Sequence, residues 1–109
     1  MTDNAGNRQH EPSAAVERVV ENIVEMFAPK NIYLYNQRVG ACGHTSGFKL
    51  CVVLSAQDKT KVEREIYLKI DCEVPFDVIV YTLEEWDALQ SNPDSFARKV
   101  KQTGIVVYE

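Results

Sequence analysis

The sequence predicts a small domain of the α/β or α+β class, in which helices flank a mixed β-sheet. At 109 residues and 12.4 kDa, the chain has room for one modest hydrophobic core. Apolar residues recur at helical spacing near the N-terminus, and compact apolar runs typical of buried strands follow. Helix-start signals separate these runs, and together they predict the order α-β-β-α-β-α-α-β. We expect a tail over residues 1–12 and one domain over 13–109.

The first predicted element is a helix. Residues 1–12 are polar and lack periodicity, which predicts a flexible tail. From Val16 to Phe27, apolar residues recur every three or four positions, and charged residues fill the opposite side. Pro29 is expected to end this helix, because proline cannot donate the helical hydrogen bond.

Two strands separated by a glycine-rich loop are predicted next. The runs NIYLY (31–35) and FKLCVVL (48–54) are apolar enough to be buried strands. The intervening segment contains Gly40, Gly43 and Gly47. Because glycine tolerates unusual backbone angles, this segment is expected to be a loop.

The next segment predicts a helix followed by a third strand. Thr60 and Glu63 have the spacing of a capping box, so we expect a helix from there to about Ile70. The run VPFDVIVY (74–81) is rich in β-branched and aromatic residues and is predicted to be a strand.

Two short helices and a closing strand complete the prediction. Thr82 and Glu85 form a second possible capping box. The Asn-Pro pair at 92–93 has the pattern of an N-cap followed by proline in the first helical position. Gly104 is a plausible helix end, and IVVY (105–108) is predicted to be the last strand.

Composition excludes some classes of function. The net charge is −4 and the sequence pI is about 5.2, which argues against broad nucleic-acid binding. There is no apolar run of membrane-spanning length and no hydrophobic signal core, so we expect a cytoplasmic protein that binds no membrane.

The three cysteines are expected to be free thiols, because their number is odd and they lack C-x-x-C spacing. Cys51 and Cys72 have apolar neighbours and are predicted to pack in the core. Cys42 and His44 share a loop, but two nearby ligands without a second pair are a weak metal signal, so a structural loop is the favoured interpretation.

Several residues carry a resemblance to a known family. Arg38 follows a strand, a second strand comes after a short loop, Asp77 lies on a later strand, and the chain closes with GIVVYE. In this layout, from about Val16 to its end, the chain resembles the minimal nucleotidyltransferase family, which has the polymerase-β-like nucleotidyltransferase fold. The family pattern places Gly-Ser before the arginine, Asp-x-Asp on the second strand and a third aspartate on the later strand.

The departures from that pattern fall on the family's active site. Asn36 and Gln37 stand where the family has Gly-Ser, and Gly47 and Lys49 stand where it has Asp-x-Asp. The resemblance implies that three aspartates hold two divalent metal ions. Here the formal charge of the corresponding positions falls from about −3 to about zero, whereas magnesium needs hard oxygen ligands. We therefore expect no catalytic residue and no cofactor, with Asp77 as the only candidate metal ligand.

The same positions suggest two further interactions. Asn36, Gln37 and Arg38 are candidates for weak nucleotide contacts, since amides and guanidinium groups donate hydrogen bonds; a solvated loop is the alternative for Arg38. We also predict an ion pair between Lys49 and Asp77, in which the ammonium replaces the metal beside a buried carboxylate. The alternative is that the Lys49 head group reaches solvent.

The resemblance implies a function through protein binding. Minimal nucleotidyltransferases are typically paired with HEPN-type helical proteins in prokaryotic two-gene modules, often as antitoxin and toxin. We expect a pseudo-enzyme that binds such a protein or another copy of itself. Trp86, Phe96 and Tyr108 are candidate docking residues, with core packing as the alternative for each and the favoured interpretation for Trp86 and Phe96.

Two other functions stay open. One is an active nucleotidyltransferase that uses ATP and magnesium, with Asp77 plus Asp71 or Glu73 as atypical ligands. The other is a nucleotide sensor that binds through Arg38 and its loop without turnover.

Overall fold

The computed structural model describes residues 12–109, which form a four-stranded mixed sheet with two helices on each face. The elements are α1 (Ala14–Phe27), β1 (Asn31–Val39), β2 (Thr45–Leu54), α2 (Lys59–Lys69), β3 (Phe76–Thr82), α3 (Leu83–Gln90), α4 (Phe96–Thr103) and β4 (Ile105–Tyr108). The predicted class and element order are confirmed. The predicted tail lies outside the described residues, apart from Pro12. No described helix has both the length and the apolar character needed to cross a membrane.

The strands lie in the order β3-β2-β1-β4. β1 pairs antiparallel with both β2 and β4, whereas β2 and β3 are parallel. A parallel pair needs a crossover, and α2 supplies it. β3 and β4 are therefore the two edges of the sheet.

Each face of the sheet has its own apolar cluster. The first face packs against α1 and α2 and holds the larger core, including Ile23, Leu50 and Ile66, all with no exposed area. The second face packs against α3 and α4, where the ring of Trp86 stacks on Tyr33 with centroids 5.2 Å apart. Since burying one large apolar side chain contributes about 1.5–3 kcal/mol, both layers contribute to stability.

The cysteines divide as expected. Cys51 is fully buried in the second-face cluster, and Cys72 is half-buried against the first-face core. Cys42 is exposed in the turn after β1, and all three thiols are free.

One predicted capping box is confirmed and one is wrong. Thr82 caps α3: its hydroxyl accepts from the Glu85 N–H, and the Glu85 carboxylate accepts from the Thr82 N–H. Thr60 does not cap α2. The helix begins earlier, at the stronger N-cap Asp58, whose carboxylate accepts from the Lys61 N–H at 3.1 Å.

The start of α4 also differs from the prediction. Ser95 is the N-cap, and its hydroxyl accepts from the Arg98 N–H at 3.1 Å. The side chain of Asn92 accepts from the Asp94 N–H at 2.9 Å, so the Asn-Pro pair forms a turn before the helix. Gly104 does end α4, where an added Cβ would lie 2.7 Å from the Val100 carbonyl oxygen.

The predicted glycine-rich loop is largely strand. β1 continues to Val39 and β2 begins at Thr45, so only a short hairpin turn separates them. The Gly40 N–H donates to the His44 carbonyl at 2.8 Å, and Gly43 has a φ of 87° in the turn. The apolar runs in the sequence marked only the buried part of each strand, because the paired ends carry polar side chains.

Candidate functional site

The second face of the sheet is open beyond α3 and α4. We call this region the open corner and define it by Asn36, Arg38, Gly47, Lys49 and Asp77. The side chains of Asn36, Arg38 and Asp77 are exposed, and Lys49 is half-buried. The open corner contains the positions that the family resemblance assigns to the active site, apart from Gln37.

Strand pairing brings these residues together. In the register of the sheet, Asn36 lies opposite Lys49 and Arg38 lies opposite Gly47 on the neighbouring strand. Lys49 in turn lies beside Asp77 across the parallel pair. The neighbours of Lys49 along β2, Phe48 and Leu50, belong to the first-face core. Because side chains alternate along a strand, Lys49 is on the second face.

Strand register bears on the predicted Lys49–Asp77 ion pair but does not test it. The two residues are neighbours in register, as expected. Their charged groups are not among the ion pairs within 4.0 Å found over residues 12–109. The expectation that Asp77 is buried is wrong, because its side chain is exposed at the sheet edge and water can solvate the carboxylate. The pairing itself stays a prediction.

Gly47 matters for a reason that the sequence did not indicate. A Cβ added at Gly47 would lie 2.6 Å from Nη2 of Arg38 and 3.4 Å from the Pro75 carbonyl oxygen. The Arg38 guanidinium therefore lies directly over the backbone of Gly47. With Lys49 two residues along β2 from Gly47, and thus on the same face, the corner holds two cations and one carboxylate, a formal charge of about +1.

The predicted Asn36–Gln37 pair does not act as one contact surface. Gln37 lies opposite Phe48, whose side chain belongs to the first-face core. Its side-chain oxygen accepts from the Ser13 N–H at 3.2 Å and from the Thr45 hydroxyl at 3.5 Å. The side chains of Asn36 and Gln37 therefore lie on opposite faces of the sheet. The hydrogen bond from the Ser13 N–H to Gln37 connects β1 to the start of α1.

Sequence reasoning missed Tyr35, which borders the open corner. The strand register shifts between Leu34 and Asn36, and Tyr35 is the extra residue of this bulge. Its ring meets that of Phe96 edge-on, with centroids 5.2 Å apart. Burial, with smaller contributions from neighbours including Asp77, raises the pKa of Tyr35 to about 12. The hydroxyl is therefore neutral at physiological pH and can donate a hydrogen bond.

The three candidate docking aromatics have different environments. Trp86 is 5% exposed and packs between Tyr33 and Tyr81, so it is a core residue. Phe96 is 43% exposed, and Tyr108 is half-buried at the edge of the sheet.

The donor set of the open corner does not fit a pair of magnesium ions. Asp77 is its only carboxylate, and Lys49 lies beside it. Glu73 lies instead 3.7 Å from Arg18 of α1, in an exposed ion pair. Across the part of the chain that the structure describes, no three His, Cys, Asp or Glu side chains form a group that could hold a metal. Asp71 and Glu73 are thus not gathered with Asp77 into such a group.

No family model matches this chain, and comparisons with curated proteins and with solved structures found no match. The resemblance to minimal nucleotidyltransferases therefore stays a prediction based on layout and motif positions.

Proposed function

We propose that this protein is a catalytically degenerate, nucleotidyltransferase-like domain that acts by binding another protein, as an antitoxin-like partner of a HEPN-type helical protein. One observation carries the proposal: Lys49 lies beside Asp77 in the sheet, at a position where the resemblance expects a metal-binding carboxylate. Arg38 adds a second cation over Gly47. A cation at position 49 opposes divalent-metal binding, whereas a protein-binding role needs no metal.

A variant that restores the acidic pattern tests the assignment of the corner. In Gly47→Asp/Lys49→Asp, three carboxylates face one another and Arg38 must swing away from position 47, which its flexible end permits. We expect magnesium or manganese to raise the melting temperature of this variant by several degrees. Binding at a hundredfold excess over Kd adds about 2.7 kcal/mol. The matched control, Gly47→Asn/Lys49→Asn, has similar side-chain size without the charge and is expected to show no such rise.

The wild-type protein tests the catalytic alternative. With labelled ATP and magnesium or manganese, we expect no label on the protein or on a co-purified partner. Metal-dependent labelling, lost in Asp77→Asn, would instead establish an active nucleotidyltransferase. A partner identified from the native cell as a small helical protein, binding the purified domain with one-to-one or other fixed stoichiometry, would support the proposed role.

A nucleotide sensor without turnover is the second candidate, and one observation favours it. Arg38 and Lys49 lie on one face of this corner, where they can donate hydrogen bonds to phosphate oxygens, and Tyr35 borders them, near enough to Asp77 for the carboxylate to contribute to its raised pKa. A melting-temperature rise with millimolar ATP, abolished in Arg38→Gln, would support this function. A flat response would exclude it at that concentration.

A further inference from the structure

A groove of about 820 Å³ runs between α1 and the outer edge of β4, far along the sheet from β3. All four residues of β4, from Ile105 to Tyr108, line it. Three of them, Ile105, Val107 and Tyr108, pack against the first-face core, because the strand register shifts at Val107. Val106 lies opposite Tyr33 of the second face and lines the same groove, which therefore follows the outer edge of the strand. The groove therefore presents main-chain groups as well as side chains.

The β4 edge differs from the opposite edge of the same sheet. On β3, the Val78 N–H donates to the Tyr67 hydroxyl at 2.7 Å and the Val80 N–H donates to the Glu63 carboxylate at 3.2 Å. Side chains of α2 thus close that edge. β4 pairs with β1 alone, and within residues 12–109 no side chain hydrogen-bonds to its main chain. Some of its N–H and C=O groups point outward, as at other edge strands, although a bulge at Val107 interrupts their regular spacing.

The α1 side of the groove is apolar at its floor and acidic at its rim. The floor is formed by Val16, Val20 and Val24, and the rim by Glu17, Glu21 and Glu25. The three glutamates recur every four residues, so they line one side of the helix, and all three are exposed. None of them has an ion-pair partner in the described part of the chain.

The spacing of the glutamates suits an extended segment that pairs with β4. Successive rim carboxylates are separated by about 6 Å along α1, at 1.5 Å per residue. Alternate side chains of a strand are separated by about 6.6–6.8 Å. A strand docked on β4 would therefore aim every second side chain at the rim. Arginine or lysine suits these positions, because its stem can cover the valine floor while its charge reaches a carboxylate.

A second copy of this chain fits the groove poorly. Two β4 strands paired about a twofold axis would place both α1 helices on the same face of a continuous sheet. Their rims of Glu17, Glu21 and Glu25 would then confront each other across the axis. Like charges in that arrangement oppose association, so charge complementarity selects a basic partner instead.

We propose that the β4–α1 groove binds an extended segment of another protein that alternates basic with apolar residues, and that this segment adds to the sheet as a strand beside β4. Main-chain hydrogen bonds to β4 supply affinity, and the glutamate rim selects the charge of alternate side chains. The inference rests on the proposed protein-binding function, for which it names a surface and a partner chemistry.

Fluorescent seven-residue peptides test the proposal on the full chain. One alternates valine with arginine, one alternates valine with glutamate, and one is the arginine peptide with its central residue replaced by proline. We expect only the first to bind, because the second is repelled by the rim and proline interrupts strand pairing. Hydrogen–deuterium exchange at Ile105–Tyr108 should slow at least about tenfold when the first peptide is bound, since outward amides become paired.

Charge-reversal variants provide the matched control. Glu17→Lys/Glu21→Lys should weaken binding of the valine–arginine peptide at least about tenfold. Glu84→Lys/Asp87→Lys makes the same change in net charge at two exposed positions on α3 and should change binding less than about twofold. Near-ultraviolet circular dichroism checks that both variants keep the wild-type fold.

Four outcomes would overturn the proposal: no binding of the valine–arginine peptide, equal binding of the proline peptide, equal weakening by both double variants, or unchanged exchange in β4. A dimer in solution whose β4 amides are already protected without peptide would also overturn it, in favour of a second copy.

The test of this groove is separable from the test of the proposed function. A native partner that protects another surface would contradict this groove alone, whereas nucleotide transfer by the wild type would contradict the proposed function alone.

Discussion

The second face of the sheet has two halves, of which one is apolar and covered by helices and the other is charged and open to water. Under α3 and α4, Tyr33, Cys51 and Trp86 are nearly or fully buried in a continuous apolar cluster. A few residues further along the same strands, Lys49 and Asp77 lie in the open corner beside water. The same strands thus support a packed layer at one end and a charged surface at the other. On this face, the helices and not the strands therefore determine which residues are available for binding.

The reactivity of the cysteines should show the largest contrast, between the covered half and an exposed turn. Burial raises the pKa of the Cys51 thiol to about 12, whereas Cys42 is exposed in the hairpin turn. Because the thiolate is the reactive form, we expect Cys42 to react with a thiol reagent at least about a thousandfold faster than Cys51 at pH 8. Mass spectrometry of timed samples measures both rates, with Cys42→Ser as the control. Comparable rates would mean that the layer of α3 and α4 opens readily and does not cover this half.

Truncation of Trp86, the aromatic residue at the centre of the covered half, should show the next largest effect, which is a loss of folding stability. Trp86→Ala removes the ring that stacks on Tyr33 and leaves a cavity that the backbone can only partly fill. We expect the free energy of unfolding to fall by about 3–5 kcal/mol. Urea denaturation followed by circular dichroism measures it, and Phe96→Ala, at a half-exposed ring, is the comparison. A loss below about 1 kcal/mol for Trp86→Ala would contradict its role as a core residue.

How far the sequence predicts each half follows from the same contrast. Periodicity and apolar runs predicted the buried parts of the strands and helices, because burial requires those patterns. They did not predict that β1 reaches Val39, since paired polar residues have no apolar signature. Capping signals located α3 correctly but placed the start of α2 at Thr60, because a threonine–glutamate spacing also occurs where Asp58 is the better cap.

The arrangement of the open corner depends on which residues pair across neighbouring strands. The sequence alone gives little indication of that pairing. The resemblance placed Lys49 near Asp77, and the parallel pairing of β2 and β3 agrees. It did not place Arg38 over Gly47 or Tyr35 in a bulge, because both depend on the register of β1 against β2. Nor did it separate Asn36 from Gln37, whose opposite orientations follow from their unexpected place within a strand.

The junction between β3 and α3 should show a smaller, pH-dependent effect. Hydrogen bonding from Lys59, at 2.9 and 3.0 Å, and from the Thr82 N–H lowers the pKa of Glu85 below its usual value of 4.5. A carboxyl with a lowered folded-state pKa stabilises the fold above its unfolded pKa, and this stabilisation is lost as pH falls through the folded value. Glu85→Gln keeps a capping oxygen but loses the charge. We expect it to cost about 0.5–1 kcal/mol at pH 7, because the pair is partly exposed.

Urea unfolding of Glu85→Gln and wild type between pH 7 and pH 2.5 tests this dependence. The difference in stability should be constant above about pH 5 and should shrink toward zero below the folded pKa of Glu85. Glu84→Gln, at an exposed neighbouring position, is the control and should show no comparable difference. A difference that grows as the pH falls would have the wrong sign for a lowered pKa.

The open corner should show the smallest effect on stability. Lys49→Met is expected to change the free energy of unfolding by less than about 0.5 kcal/mol, as is usual for partly exposed positions. A double-mutant cycle with Asp77→Asn should give a coupling of about 0.2–1 kcal/mol that declines between 50 mM and 1 M salt, because water and ions screen an exposed pair. A coupling above about 2 kcal/mol that resists salt would instead identify a desolvated ion pair. In that case the two halves of the face would share the same stabilising role, and the corner would be less free to serve as a binding surface.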